Sequence, residues 1–456
     1  MSNRVNAVPD DNRLCPPEEA FVLAEQVLDL PVINQLIWRF DTPLDAGRLE
    51  TVVDRLRDGP LTRRLHRAGA PFARASWTAA PFSAPVLRID DDIDRAELIA
   101  WADHDVRRSF RSDSGVPWTV SAAPMREGGH AVVFTAPHTI SDGSGVFAAF
   151  EAAVTGDDIG RLPHDQAPRP SRSDDLRDGA RQATAAVAGP VRAVRMALRK
   201  RRDSSADARP PRPGQPERPD TRPLPDAEPA AFAVAEFPAS EWRGAAELRG
   251  GSANSLLTAF GIGLLEASGR IDAVDRIPVS IPVAVRRPGD RRAVATIGAT
   301  MTADTGPTRY DDLRPLRNAA REAFQDATDP DRDQEDLLRL LTPTIRLMPR
   351  KLLRSMALRQ PAAVLTCSNL GEVPDPVATL GGPDAGAVSA RMSVQHATVE
   401  QLRTARGGLT TWLAFSGGNA VLSTLSMDPD RWPDSVSVQR AIADEAAKWS
   451  LTPRFW

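Results

Sequence analysis

Residues 130–152, HAVVFTAPHTISDGSGVFAAFEA, decide the fold of this chain, because they join one strand pattern to one helix pattern. His130–Ala136 is apolar throughout and rich in β-branched residues, which predicts a strand in the middle of a sheet. Gly145–Ala152 places apolar residues at helical spacing. The intervening residues, from Pro137 to Ser144, therefore form a loop between a buried strand and a helix, where side chains can face a cleft.

The loop contains the pattern His138-x-x-x-Asp142-Gly143. A neutral imidazole can accept a proton near pH 7, so His138 is a candidate general base. Asp142 can hold the shape of the loop, and Gly143 and Gly145 permit close approach of the backbone. The alternative is a solvated loop histidine followed by an aspartate that only caps the next helix.

The composition narrows the class of protein. The chain has 456 residues, 26% charged and 41% hydrophobic, with a net charge of -3, so we expect a globular protein and no nucleic-acid partner. Two cysteines, Cys15 and Cys367, exclude a disulfide framework. The N-terminal residues lack a signal-peptide pattern, and no run of about 18 apolar residues occurs. We therefore expect a cytoplasmic location.

Eight prolines lie between Ser205 and Pro229 and predict an extended segment. They divide the chain into residues 1–165, a basic helix and proline-rich linker at 166–230, and residues 231–456. Both outer parts mix strand and helix patterns, which indicates an α/β or α+β fold without the strict βαβ repeat of a barrel. The second part contains a capped apolar helix after Ser252 and a strand at Ile277–Val285.

The chain resembles the chloramphenicol-acetyltransferase-like acyltransferases, which include condensation domains and wax ester synthase/diacylglycerol acyltransferases. The resemblance rests on the His138-x-x-x-Asp142-Gly143 motif and on four further stretches. These are LDAGRLETVVDRLRDGPLTRRL (44–65), SANSLLTAFGIGLLEASGRI (252–271), PVAVR (282–286) and TCSNLG (366–371).

Two departures separate the chain from parts of this family. Pro137 replaces the first of two histidines that often stand together, and Gly371–Asp375 stands where plant members carry Asp-Phe-Gly-Trp-Gly. The resemblance therefore favours the bacterial lipid or polyketide-associated branch. It implies two subdomains, each a mixed sheet with flanking helices, in a V-shaped pseudo-dimer with a cleft or tunnel between them.

The implied chemistry is acyl transfer from a thioester, on coenzyme A or a carrier protein, to a hydroxyl or an amine. His138 is the general base without a covalent acyl-enzyme, and no cofactor is needed beyond the coenzyme A or phosphopantetheine thioester of the co-substrate. The resemblance implies that Asp142 pairs with Arg286, with the neighbouring Arg287 as the second choice. It also implies that Gly143 supports the loop. Ser368, Asn369 or a backbone N–H near Gly143 supplies the oxyanion donors.

A catalytically silent module that binds a carrier protein or lipid is the alternative function. The stretches Val191–Arg202 and Leu337–Arg359 are apolar and basic, and they suit an anionic membrane surface or an acidic carrier protein, or else a solvated helix. In the second stretch, Pro343 and Pro349 are expected to interrupt the helix. We expect no metal site, a core position for Cys367 and a surface position for His396.

Overall fold

The computed structural model describes residues 12–79, 86–113, 116–157, 170–203, 230–329, 337–357 and 363–456. Side chains are described for all of these residues except 193–203, 337–339 and 357. The proline-rich segment from Ser205 to Pro229 lies outside the described residues.

Within the described residues, five strands form a first mixed sheet. In spatial order they are β11 (Ala387–Val394), β1 (Val32–Phe40), β6 (His130–Pro137), β5 (Thr119–Pro124) and β4 (Leu87–Ile89). Neighbours are antiparallel except for the parallel pair β4 and β5. The predicted buried strand is therefore the middle strand of this sheet.

A second mixed sheet has seven strands within the described residues. In spatial order they are β14 (Arg454–Phe455), β7 (Phe232–Pro238), β13 (Asn419–Ser426), β12 (Leu409–Ser416), β10 (Leu365–Glu372), β8 (Arg276–Ala284) and β9 (Thr296–Asp304). The strand β10 is parallel to both of its neighbours, and the other pairs are antiparallel. A separate hairpin pairs β2 (Arg63–His66) with β3 (Ser76–Ala79).

Helices flank both sheets. They are α1 (Pro16–Leu23), α2 (Ala46–Arg57), α3 (Leu98–Val106), α4 (Gly143–Thr155), α5 (Arg172–Asp203), α6 (Ala239–Glu247), α7 (Ala253–Ala267), α8 (Arg314–Thr328), α9 (Leu337–Arg346), α10 (Arg350–Ala357), α11 (Asp375–Thr379), α12 (Val399–Ala405) and α13 (Ser435–Lys448). A π-helical turn, Ala24–Leu28, follows α1 directly, and short 3₁₀ turns lie at Arg95–Glu97 and Pro307–Tyr310. This mixed α/β architecture is the predicted fold class.

Local sequence explains the helices that were predicted. In α2, the apolar residues at helical spacing are buried on one face, and Asp45 caps the helix through the N–H of Arg48. In α7, Ser252 accepts a hydrogen bond from the N–H of Ser255 as the expected cap. Nearly all of α7 is apolar and buried, because it lies between the second sheet and other helices.

Most of the described residues of the two basic stretches are helical. Val191–Arg202 lies within α5, where only Val191 and Arg192 have described side chains. Pro349 separates α9 from α10 as expected, but the expected interruption at Pro343 is wrong, because Pro343 lies inside α9. A proline can stand in a helix at the loss of one backbone hydrogen bond. The docking role of both stretches stays a prediction.

Three apolar clusters hold the molecule together. One lies between the first sheet and its helices and contains Trp38 and Phe134, and another lies on the outer face of the second sheet. The third joins the two sheets, since Ile37 and Val133 of the first meet Val234 and Trp412 of the second. Alternation along β1 explains this, because Ile37 and Trp38 point to opposite faces.

No helix in the described part of the chain is long and apolar enough to cross a membrane.

One strand departs from the sequence-based division of the chain. The strand β11 lies within residues 231–456, yet it pairs with β1 along its whole length and completes the first sheet. The boundaries at residues 165 and 231 stay predictions, but the second part does not form only its own sheet. Long-range pairing of this kind depends on which edge is free, and local sequence patterns do not encode that.

Candidate active site

His138 is the first residue after β6. The strand pairs with β1 up to the partners Pro137 and Ile33, and the N–H of His138 donates to the carbonyl of Val32 at 2.7 Å. Asn34 donates from its side-chain amide to the carbonyl of Ser141 at 2.8 Å and holds the loop beyond the strand. The replacement of histidine by Pro137 therefore falls at the very end of the strand, where the backbone pairing is finishing.

The ring of His138 stacks on Phe21 of α1. The ring centroids are 4.0 Å apart and the planes differ by 13°. The Nδ1 atom of His138 is buried, and no described residue is its hydrogen-bond partner. The stacked phenyl ring therefore restricts the imidazole and keeps water from one of its faces.

Burial also sets the protonation state of His138. Removal from water disfavours the charged imidazolium and lowers the pKa of His138. The negative charge of Asp142 and the histidine's own backbone act in the opposite direction, but burial outweighs them. The imidazole is therefore neutral near pH 7 and able to accept a proton.

Asp142 both caps α4 and joins the loop to the second half of the chain. Its Oδ1 accepts from the N–H of Gly145 at 2.8 Å and from Arg286 Nη2 at 2.8 Å. Its Oδ2 accepts from the N–H of Ala295 at 2.6 Å and from Thr296 Oγ1 at 2.9 Å. The capping role and the expected pairing with an arginine are therefore both present.

The ion pair between Asp142 and Arg286 uses a single nitrogen of the guanidinium group. Arg286 contributes only Nη2 to Asp142, while its Nε donates to Ser144 Oγ at 3.0 Å. The reason is that the second carboxylate oxygen already accepts from Ala295 and Thr296. Both side chains are well buried, at 2% exposure for Asp142 and 14% for Arg286.

Burial alone would raise the pKa of Asp142. The charge and hydrogen bond of Arg286, together with the donors Gly145 and Ser144, outweigh it, and the pKa lies below its usual range. Asp142 is therefore an ionised carboxylate near neutral pH, and Arg286 compensates its negative charge.

Gly145 and Gly143 differ in how strictly they need to be glycine. A Cβ atom at Gly145 would lie 2.4 Å from Ser141 Oγ and 2.9 Å from Arg286 Nη2, so a side chain there would displace the ion pair. A Cβ atom at Gly143 would lie 3.5 Å from Leu370 Cδ2, an ordinary contact. The close approach expected at both glycines is therefore found at Gly145 alone, and the role of Gly143 in supporting the loop stays a prediction.

Ser368 and Asn369 lie on β10, near a bulge between Asn369 and Gly371. The amide of Asn369 donates to the side-chain oxygen of Asn254, and its own oxygen accepts from the N–H of Gly371 at 2.8 Å. Leu370 of β10 lies near the motif, because its Cδ2 is 3.5 Å from the position that a Cβ atom at Gly143 would take. The oxyanion role of Ser368 and Asn369 stays a prediction.

Cys367 lies in the core and His396 at the surface, as the sequence predicted. Cys367 is buried, and burial raises its pKa to about 11. Burial and the nearby charge of Glu18 likewise raise the pKa of Cys15. The side chain of His396 is 59% exposed. Among the described residues, no group of three or more histidine, cysteine, aspartate or glutamate side chains is placed to hold a metal ion.

Sequence reasoning missed the helix α1, which covers the site. Glu18 of α1 accepts from the N–H of Cys15 at 2.9 Å and from the N–H of Ala293 at 2.5 Å, so it anchors the helix to the same segment that Asp142 binds. The signal was available, since Pro16 and Pro17 followed by two glutamates are typical of a helix start. The stacking of Phe21 had no such signal, because it depends on tertiary structure.

No protein-family model matches the sequence, and no curated protein matches it significantly. Similar solved structures do exist. The first condensation domain of the calcium-dependent antibiotic synthetase, in complex with a substrate analogue, superposes with a TM-score of 0.57 at 16% identity, covering 96% of each chain. The wax ester synthase/diacylglycerol acyltransferase from Marinobacter aquaeolei VT8 has a TM-score of 0.53 at 14% identity, covering 96% of this chain and 100% of that one.

A third similar structure is the condensation domain from Monacolin K polyketide synthase MokA, with a TM-score of 0.54 at 13% identity over 98% of each chain. Because the likeness extends over nearly the whole length of all three, it concerns the complete architecture. The chain therefore has the fold of these condensation domains and of this wax ester synthase/diacylglycerol acyltransferase. The resemblance found in the sequence motifs is confirmed at the level of the fold.

Proposed function

We propose that this protein is an acyltransferase that moves an acyl group from a thioester to a hydroxyl or an amine. The observation that carries the proposal is the environment of His138. Its Nδ1 is buried, its ring is stacked on Phe21, and its pKa is lowered, so that a neutral imidazole stands at the end of the middle strand. The fold shared with condensation domains and with a wax ester synthase supports the same conclusion.

In the proposed reaction, the acceptor hydroxyl or amine attacks the thioester carbonyl. Because Nδ1 is buried, Nε2 of His138 is the nitrogen that takes the proton of the acceptor. The carbon–sulfur bond then breaks, and the proton on the imidazolium passes to the departing thiolate. No acyl-enzyme forms, and the oxyanion donors come from Ser368, Asn369 or the first N–H groups of α4.

The donor is a thioester of coenzyme A or of a carrier protein, and the product belongs to lipid or secondary-metabolite biosynthesis. Two of the similar structures are condensation domains of a synthetase and a polyketide synthase, and the third is a wax ester synthase/diacylglycerol acyltransferase. Both kinds of donor therefore belong in the first assays, with alcohols and amines as acceptors.

A binding module without catalytic activity is the second candidate. The observation that favours it is Pro137, which stands where related motifs often carry a further histidine. Such a module would bind a carrier protein or lipid but release no thiol.

Release of free thiol from acyl-thioesters, in the presence of a panel of alcohols and amines, tests the proposal. We expect release by the wild-type protein, and a decrease in kcat of roughly 10²–10⁴-fold in His138→Gln, which keeps the side-chain volume but not the basicity. The midpoint of thermal unfolding should stay unchanged.

His396→Asn is the matched control, because His396 is an exposed histidine whose backbone has a positive φ that asparagine tolerates. Its thiol release should equal that of the wild type. If His138→Gln keeps activity within a factor of about three, His138 is not the base. If the wild type releases no thiol from any donor yet binds a carrier protein or lipid, the binding module is the better description.

A further inference from the structure

The backbone between β8 and β9 binds two carboxylates that come from other elements. Glu18 of α1 accepts from the N–H of Ala293 at 2.5 Å and from the N–H of Val294 at 3.3 Å. Asp142 accepts from the N–H of Ala295 at 2.6 Å, and its own N–H donates to the carbonyl of Ala293 at 3.0 Å. One short stretch of backbone therefore holds both the helix α1 and the motif loop.

The carboxylate of Glu18 is buried and bound at both oxygens, with 1% of the residue exposed. Its second oxygen accepts from the N–H of Cys15 at 2.9 Å. Two cations interact with its charge, Arg63 of the β2–β3 hairpin and Arg292 of the segment after β8. Burial lowers the pKa of Arg63 to about 10, and the charge of Glu18 acts against that decrease. These partners compensate the carboxylate, so Glu18 holds α1 in one defined place.

Phe21 follows Glu18 by three residues, so both side chains lie on the same side of α1. The phenyl ring of Phe21 is the one that stacks on His138, with the ring centroids 4.0 Å apart. Glu19 contacts a different element, because it pairs with Arg346 of α9. The helix α1 thus has two anchors, and only the anchor at Glu18 leads to the segment that also holds the motif loop.

We infer that Glu18 is a positioning residue for His138. By fixing α1 on the N–H groups of Ala293 and Val294, Glu18 keeps the ring of Phe21 against the imidazole. The importance of this contact for catalysis rests on the proposed function, in which His138 is the general base. The placement of the two rings does not rest on it and can be measured without substrate.

The direction in which the pKa of His138 changes separates positioning from a direct effect of charge. If Glu18 only supplied negative charge near the imidazole, its removal would disfavour the imidazolium and lower the pKa. If Glu18 positions Phe21, loss of its anchor admits water to the imidazole and raises the pKa. Asp142, whose charge acts on His138 from the same loop, is present in both cases.

NMR of the full chain labelled at histidine tests the inference, and His138→Gln assigns the His138 signal among the six histidines. In Glu18→Asp the charge stays, but the shorter side chain cannot keep its contacts with both Ala293 and Val294. We therefore expect the titration midpoint of His138 to move up, toward about pH 6.5. Glu18→Gln keeps an oxygen at the original reach, and its midpoint should stay near that of the wild type.

Glu19→Ala is the matched control, because it removes the neighbouring glutamate of α1 and with it only the contact to Arg346. Its His138 midpoint should equal that of the wild type. The unfolding midpoint checks that each variant is folded. An unmoved or lowered His138 midpoint in Glu18→Asp would overturn the inference. An equal rise in Glu18→Gln or in Glu19→Ala would overturn it as well.

Thiol release is measured in parallel on the same variants. In Glu18→Asp the acid limb of the pH–rate profile should move up together with the NMR midpoint of His138, since both report the same imidazole. A wild-type protein without thiol release would count against the proposed function alone, because the NMR titration needs no substrate.

Discussion

At the scale of single residues, the surroundings of His138 matter more than its presence. A histidine in water has a pKa of about 6.5, so a substantial share is protonated just below neutral pH. Burial lowers the pKa of His138, which widens the pH range in which the ring is neutral. A general base must be neutral, so we expect the acid limb of the pH–rate profile to lie below about pH 6.5.

Phe21 is the residue that we predict to maintain this environment. In Phe21→Ala, water reaches the ring face that the phenyl group covers at 4.0 Å, and the imidazole gains freedom to rotate. We expect kcat to decrease by about tenfold and the acid limb to move up toward about pH 6.5, because hydration favours the imidazolium. Steady-state kinetics between pH 5 and 8 would measure both effects.

Two further variants separate stacking from helix stability. Phe21→Trp keeps an aromatic face and should restore the low acid limb. Val22→Ala removes the neighbouring apolar side chain of α1, which packs in the core of the first sheet, and should leave the limb unmoved. An acid limb that is the same in Phe21→Ala and wild type would show that the stacking does not set the pKa of His138.

At the scale of elements, the junction of β6, the loop and α4 is held by one carboxylate. Asp142 accepts from backbone and side-chain donors of α4 and of the segment 293–296, and from Arg286. Arg286 in turn donates to the carbonyls of Arg292 and Ala293 at 2.9 and 3.1 Å. The motif loop and the segment between β8 and β9 are therefore one hydrogen-bonded unit.

A double-mutant cycle with Asp142→Ala and Arg286→Ala tests this unit. Each single change leaves a buried partner without compensation, so we expect each to lower the free energy of unfolding by about 3–5 kcal/mol. The double variant should lose less than the sum of the two, since no unpaired charge remains. Urea unfolding measures the cycle, and thiol release should decrease together with stability in both single variants.

Arg287→Ala is the control, because Arg287 is adjacent in sequence but exposed, and it should change stability by no more than about 0.5 kcal/mol. The pH dependence gives a second check. Since the pKa of Asp142 is lowered on folding, its contribution is present above about pH 4 and is lost as the pH falls through the folded value. Strict additivity of the two single variants would contradict the coupling.

At the scale of the whole molecule, β11 makes the two halves interdependent. It covers the edge of β1, and the cluster that contains Ile37 and Val234 fills the space between the sheets. We therefore predict that residues 1–229 expressed alone do not form a stable monomer, because an apolar sheet face and a strand edge would be open to solvent. Cooperative unfolding of a monomeric fragment 1–229 would contradict this.

The matched experiment cuts the chain after folding. A protease site inserted between Ser205 and Pro229, followed by cleavage, should leave two fragments that elute together in size-exclusion chromatography. The uncut protein provides the reference elution volume. Fragments that separate without denaturant would show that β11 and the inter-sheet cluster do not hold the halves together.

Most of the regular elements were predictable, because periodicity and capping are local. The strand at His130–Ala136, the helices capped by Ser252 and Asp142, and the core position of Cys367 all follow from patterns of a few residues. The strands β1 and β11 were not recognised. Their buried polar residues, such as Gln35, Arg39 and Arg391, weaken the apolar pattern, and their partners are far away in sequence.

What the sequence by itself determined is the motif, its place between a buried strand and a helix, and the superfamily that this pattern resembles. These depend on the order of residue types over short distances. Only the tertiary structure decided that Phe21 stacks on His138 and that Asp142 shares its oxygens among Arg286 and the 293–296 segment. Each of these requires side chains from distant parts of the chain to meet, and local propensity carries no information about which distant surfaces come into contact.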